Sequence, residues 1–160
     1  MTYTVLFVCT GNVGRSPLAE AMARRFLAEA LGVEDAALES RGIRVLSAGT
    51  KAPTGLQASA RANSVAEEIG ITIGRHPARR LTKTMVREAD LILCMDAEQT
   101  ARISKWGLAT NAELLDPSGR EIPDPRRHDI AFFRQVRDQI AAALEDRVPQ
   151  ILAGAGPIQT

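Results

Sequence analysis

The chain is poor in cysteine, with two among 160 residues. Two cysteines make no disulfide framework, so both thiols are expected to be free and a cytoplasmic, reducing location is the natural reading. A charge excess is missing too, since 20 basic residues stand against 19 acidic ones for a net +1. That balance gives no electrostatic reason for a nucleic-acid partner. No apolar run approaches the ~20 residues of a membrane span, so no membrane partner is expected. The opening Met-Thr-Tyr-Thr-Val-Leu-Phe carries neither a basic region nor a cleavage site, and a signal peptide is not expected. Internal repeats, low-complexity tracts and inter-domain linkers are also missing. What is left is a length suited to one domain with a sizeable core.

The informative stretch is Cys9-Thr10-Gly11-Asn12-Val13-Gly14-Arg15-Ser16-Pro17. Tyr3 to Val8 ahead of it read as a buried strand that ends on Cys9. Leu18, Met22 and Phe26 behind it recur as the core face of a helix. Ser16 is expected to cap that helix, with Pro17 at its first position, where no backbone N–H is needed. Strand, turn and helix N-terminus together form a cradle for an oxyanion. The backbone N–H groups of Thr10, Gly11, Asn12, Val13, Gly14, Arg15 and Ser16 converge on it, and the helix dipole adds positive field. Gly11 and Gly14 let the backbone turn, and Asn12 tolerates left-handed dihedrals.

The same field favours the thiolate of Cys9 at the floor of the cradle. Arg15 offers a planar fork for two phosphate oxygens. These residues suit in-line attack of a thiolate on phosphorus, which requires no metal and no other cofactor. A lone cysteine at a strand end is usually a small hydrophobe, and a lone arginine a solvated charge. Here strand, glycines, Asn, Ser-Pro and helix agree within one segment, which favours the catalytic reading. A nucleotide P-loop is excluded, because no Gly-Lys-Ser/Thr follows the glycines.

Further along, Ile43–Leu46 and Leu91–Met95 read as strands, with a short third at 113–115. Helices are expected over 57–69 (Ala60, Val65 and Ile69 inward, Gly70 as C-cap), after Thr82, and from Asp96 to about Trp106. A last helix from near Asp129 to Val148 carries Phe132, Val136, Ile140 and Leu144 on one face. Pro149 is expected to stop it, leaving 149–160 as a frayed tail. This alternation predicts a single α/β domain: a central four-stranded parallel sheet with helices on both faces, and ligands at the carboxyl ends of the strands. A leaving oxygen needs a proton and a hydrolytic water needs a base, roles one carboxyl group can fill in turn. Asp116-Pro117 and Asp124-Pro125 both offer one, and either could instead start a turn.

The stretch from Val8 to Pro17 resembles the signature loop of the low-molecular-weight protein tyrosine phosphatases. The resemblance continues through Ser47-Ala48-Gly49-Thr50, His76-Pro77-Ala78-Arg79, Ala89 to Asp96, and Ile122-Pro123-Asp124-Pro125, in the family's order and spacing. It implies a phosphatase domain over 1–148 that hydrolyses protein phosphotyrosine through a phosphocysteine. A phosphorylated protein would be its substrate, inorganic phosphate its product and a tyrosine kinase its counterpart. It also implies Asp124 as the acid and base, with Asp116 left to a turn. Asn12, Ser16, Ser47 and His76 would form a network that holds the cradle rigid, and Thr50 and Arg126 would lie on the substrate rim. His128 has no matching role and is expected to be exposed.

Two positions depart from what is usual in the family. Arg126-Arg127 follows Asp-Pro where an aromatic commonly walls the substrate ring. Gly14 stands where many relatives have a cysteine able to protect the nucleophile. Phosphoarginine hydrolysis by the same mechanism is one alternative, and Val13, where phosphoarginine phosphatases of this type have threonine, leans toward phosphotyrosine. Arsenate reduction is another, though it needs two further cysteines and only Cys94 is present. A non-catalytic phosphate-binding module is the third, and the presence of Cys9, Arg15 and Asp124 argues against it.

Overall fold

A computed structural model describes residues 1–108 and 110–157. Its centre is a parallel sheet of Tyr3–Cys9 (β1), Ile43–Gly49 (β2), Leu91–Cys94 (β3) and Ala112–Leu114 (β4), in the order β2-β1-β3-β4. β1 is flanked on both edges and apolar on both faces, as a strand covered from both sides requires. Its alternation divides the core. Val5, Phe7 and Cys9 face a layer built from Arg15–Leu31 (α1), Ala60–Glu67 (α2) and Ile130–Ala155 (α5), which contribute Leu18, Met22, Val65, Val136, Ile140 and Leu144. Leu6 and Val8 face the opposite layer, where Lys83–Glu88 (α3) and Ala97–Ser104 (α4) supply Val86 and Ile103. This is the α/β architecture expected from the sequence, with the sheet covered on both faces.

Helix starts follow their capping chemistry where the chain is free to use it. Thr82, Asp96 and Asp129 accept backbone N–H bonds from Met85, Glu98 and Phe132 at 3.0–3.1 Å. Ser59 does the same for Ala62, so α2 begins later than expected. Its inward residues are Ala62, Val65 and Ala66, whereas Ala60 is exposed. Ile69 is also exposed, because the helix has ended and the chain reverses through Gly70 at φ +75°.

Two further expectations are corrected. Ser16 does not cap α1. That helix starts at Arg15 behind Gly14 with no side-chain cap, and Ser16 lies buried in its first turn with its hydroxyl spent on the loop. Pro17 is tolerated at the third helical position because the first N–H groups of any helix lack an intrahelical partner. Nor does Pro149 stop the last helix, since α5 runs on to Ala155. A proline removes one hydrogen bond, and here fully buried Ile151 and core-packed Leu152 hold the following turn in place. The tail expected to fray from 149 is thus helical through Ala155, and its last residues, 158–160, lie outside the described residues. On the inner face of α5 the buried aromatic is Phe133. Phe132 is half-buried and stacks on exposed His128 with ring centroids 4.2 Å apart.

One buried guanidinium ties α5 to the sheet edge. Arg147 donates to the carbonyls of Leu114 at 2.6 Å and Leu115 at 2.8 Å, and also bonds Gln150 and Glu113.

Candidate functional site

The carboxyl ends of β1 and β3 open into a cleft of about 650 Å³ with Cys9 at its floor. The loop after β1 wraps around the sulfur. Asn12 donates its N–H to Cys9 Sγ at 3.2 Å, and the Ser16 hydroxyl lies 2.8 Å from it. Asn12 takes a left-handed φ of +54°, which turns its side chain inward. That amide is fully used. Its Nδ2 donates to Ser16 at 2.8 Å and Ser47 at 2.9 Å, and its Oδ1 accepts from the Arg79 N–H and His76 Nε2, both at 3.0 Å. The network expected of Asn12, Ser16, Ser47 and His76 is therefore assembled, and Arg79 joins it through its backbone. Burial pushes the His76 imidazole below its ordinary pKa, with the Glu20 carboxylate and an Asn12 hydrogen bond pulling the other way.

Arg15 is buried and held from behind. One guanidinium nitrogen donates to Asp96 Oδ2 at 2.8 Å and to the Ile122 carbonyl at 2.9 Å. The other lies 3.8 Å from Asp124 Oδ2 across the cleft. Asp96 performs two tasks, because it also caps α4 in a reciprocal box with Gln99. Gln99 in turn donates to the Thr10 hydroxyl at 3.0 Å. The start of α4 thereby braces both ends of the phosphate loop.

Glycine is required at one more place. A Cβ on Gly49, at the end of β2, would sit 2.5 Å from the Thr10 carbonyl and 2.9 Å from the Asn12 nitrogen. The absent side chain lets β2 pack directly against the loop backbone.

The two Asp-Pro pairs separate cleanly. Asp116 accepts from the Ser118 N–H and hydroxyl in a local turn, and those bonds hold its carboxyl below the usual range. Asp124 lines the cleft, and its other oxygen accepts the Arg126 N–H at 3.0 Å. Arg126 lines the mouth of the cleft. Thr50 does not: its N–H bonds the Cys9 carbonyl and its hydroxyl is buried, while neighbouring Lys51 reaches the rim. Sequence reasoning also missed the apolar wall of Pro53, Leu56 and Phe133, which joins Val13. No local pattern marks these positions, because the loop after β2 and the first turn of α5 meet only in the fold. For Asp96 the signal is its place at the start of an expected helix, since a capping carboxylate keeps a second oxygen free for a partner such as Arg15.

Cys94 belongs to a different environment. It faces the α3–α4 layer, on the opposite side of the sheet from Cys9, and burial pushes its thiol up to about 12. Among the described residues no group of three His, Cys, Asp or Glu side chains could hold a metal ion.

An oxyanion loop carrying a buried thiol, at the strand ends of a parallel α/β sheet, is the architecture of a small phosphatase. The model of the family described as low molecular weight phosphotyrosine protein phosphatase matches residues 4–153, and the chain belongs to that family. It is 34% identical over 156 residues to the probable low molecular weight protein-tyrosine-phosphatase EpsP of Ralstonia nicotianae, covering 96% of this chain and 99% of that one. Its fold is similar to that of the tyrosine phosphatase Wzb from Escherichia coli K30 in complex with sulphate, with TM-score 0.80, 27% identity and coverage of 95% and 100%. It is also similar to the YwlE arginine phosphatase from Geobacillus stearothermophilus, with TM-score 0.78, 27% identity and coverage of 95% and 94%.

Proposed function

We propose that this phosphatase hydrolyses phosphotyrosine in proteins through a phosphocysteine intermediate. The observation that carries the reading is the convergence of the Cys9 thiol, the buried Arg15 fork and the Asp124 carboxyl in one cleft, with Asp124 3.8 Å from Arg15. The Cys9 thiolate attacks phosphorus as the bond to the tyrosine oxygen breaks, and the Asp124 carboxylic acid protonates that oxygen. The resulting carboxylate then takes a proton from water. The water oxygen attacks phosphorus, releasing inorganic phosphate and restoring the thiolate. The loop N–H groups and Arg15 hold the equatorial oxygens throughout. Their fixed geometry is what the Asn12 network and the Asp96 tether supply.

Val13, Pro53, Leu56 and Phe133 form an apolar wall that suits an aromatic ring. Arg126, a cation at the mouth, disfavours a protonated guanidine leaving group and so supports tyrosine over phosphoarginine. Disulfide relay, which arsenate reduction needs, has no partner in Cys94 on the far face of the sheet. The proposed setting is the cytoplasm, opposite a tyrosine kinase. No helix among the described residues is long and apolar enough to cross a membrane.

The test is metal-free phosphate release from phosphotyrosine and phosphoarginine peptides, side by side, for wild type and Cys9→Ser. Preference for phosphotyrosine, abolished by the substitution, is expected. Arg15→Lys is expected to lose most of the activity, because an ammonium cannot reproduce the two-point fork. Preference for phosphoarginine would retain the mechanism and replace the substrate. Phosphate binding without turnover would leave a binding module.

A further inference from the structure

The mouth of the cleft has an uneven charge pattern. Three basic and three acidic side chains line it, and most are committed to one another. Arg15 is held by Asp96 and faces Asp124, and Lys51 lies 3.5 Å from Glu98. Arg126 is the exception. It is exposed at the rim, and among the described residues its guanidinium has no carboxylate or carbonyl partner.

The backbone that presents Arg126 is itself unusual. Pro125 to His128 form a tight turn closed by the His128 N–H on the Pro125 carbonyl at 2.9 Å. Its third residue, Arg127, takes φ +69°, a conformation that favours glycine. Strain retained at the rim of a site is a pointer to function. The turn sets Arg126 next to Asp124, whose carboxylate bonds the Arg126 N–H.

We infer that Arg126 is a specificity-determining residue that selects phosphotyrosines flanked by a carboxylate side chain, Asp or Glu, one or two residues away. The inference rests on the phosphotyrosine reading above. A phosphotyrosine reaches the loop with its ring against the apolar wall while the peptide backbone stays at the mouth. Neighbouring Cα atoms are only about 3.8 Å apart, so an adjacent acidic side chain remains beside the rim. There it meets the one lining cation that has no protein partner. The contact forms on binding and is screened by salt, so it lowers KM more than it raises kcat.

The experiment compares three phosphotyrosine peptides that differ only in their flanks, acidic, neutral or basic. It measures kcat/KM for wild type, Arg126→Ala and Arg126→Glu at low and high salt, with para-nitrophenyl phosphate as a substrate without flanks. The informative quantity is the ratio of acidic to neutral peptide, in which any loss common to both cancels. Wild type is expected to favour the acidic peptide about 3–5-fold at low salt, the upper range for an exposed ion pair. The ratio should approach one at about 1 M salt and in Arg126→Ala, and should fall below one in Arg126→Glu, which should favour the basic peptide. If Arg126→Glu does not fold, the salt dependence of the wild-type ratio and the Arg126→Ala ratio decide. A wild-type ratio near one, or an acidic preference that survives Arg126→Ala, would overturn the inference. An equal loss on all substrates, para-nitrophenyl phosphate included, would show that Arg126 stacks on the ring instead and would overturn it as well. Absence of turnover on every phosphotyrosine peptide would remove the phosphotyrosine reading too.

Discussion

Gly49→Ala tests how strictly the phosphate loop is shaped by the strand beside it. The added Cβ would meet the Thr10 carbonyl at 2.5 Å, whereas ordinary contact begins near 3.4 Å. Both partners are backbone, so neither can swing away, and the loop must retreat by about 0.9 Å. A displacement of that size at a reacting centre can cost about 100-fold, or ~2.7 kcal/mol of transition-state stabilisation. The expected result is a fall of that order in kcat/KM for para-nitrophenyl phosphate, with weaker inhibition by inorganic phosphate. Gly154→Ala is the matched control. Its Cβ would also meet a neighbour at 2.5 Å, but that neighbour is the Tyr3 ring, away from the cleft. This variant should lower the melting temperature while leaving kcat/KM close to wild type. A Gly49→Ala enzyme within about threefold of wild type would refute the argument, because a loop so easily displaced could not derive its effect from fixed geometry.

Arg147→Ala leaves the Leu114 and Leu115 carbonyls without their donor and should cost about 3 kcal/mol in denaturant unfolding. A loss below about 1 kcal/mol would mean that water replaces the guanidinium freely. Cys94, with its thiol at about 12, should stay unlabelled by iodoacetamide in the native protein at pH 8. The unfolded chain releases that proton near the ordinary cysteine value while the native state keeps it. The native state therefore binds more protons in that range, and stability should fall as pH rises from about 9 toward 12. Melting temperatures across that range should fall less steeply in Cys94→Ala. Tyr3, also raised by burial, leaves part of the slope. Arg127→Gly relieves a left-handed φ of +69° and should gain about 0.5–1 kcal/mol, read as a higher melting temperature.

Much of this molecule is legible along the chain because its organising segment is local. The strand before Cys9, the turning residues and the helix after them are neighbours in sequence, so pattern and propensity act on the same few positions. The partition of the core also follows from alternation, which sends Cys9 and Cys94 to opposite faces. What escaped is what depends on distant packing. Ser16 has the chemistry of a cap, but the Asn12 amide claims its hydroxyl. Pro149 has the chemistry of a stop, but buried Ile151 lies just beyond it. Ile69 continues an apolar period after the helix has already ended at Glu67. Thr50 and Lys51 differ by one position, and only the direction of the loop decides which reaches the rim. The choice between Asp116 and Asp124 could not be made from Asp-Pro chemistry alone. Both lie between β4 and α5, and the outcome depends on where that connection crosses the end of β3, as Ile122 does by donating to the Met95 carbonyl.

The double duty of Asp96 has a consequence for how this enzyme can evolve. One carboxylate begins α4 and anchors Arg15. Asparagine would preserve the cap and lose the charge; glutamate would preserve the charge and, one methylene longer, lose the cap. Neither change keeps both the anchor of the arginine and the start of the helix. Selection for foldability and selection for turnover therefore act through the same letter of the sequence. A lineage that abandoned catalysis could hold the helix with asparagine, so asparagine at this position in a relative speaks for the fold and not for the activity.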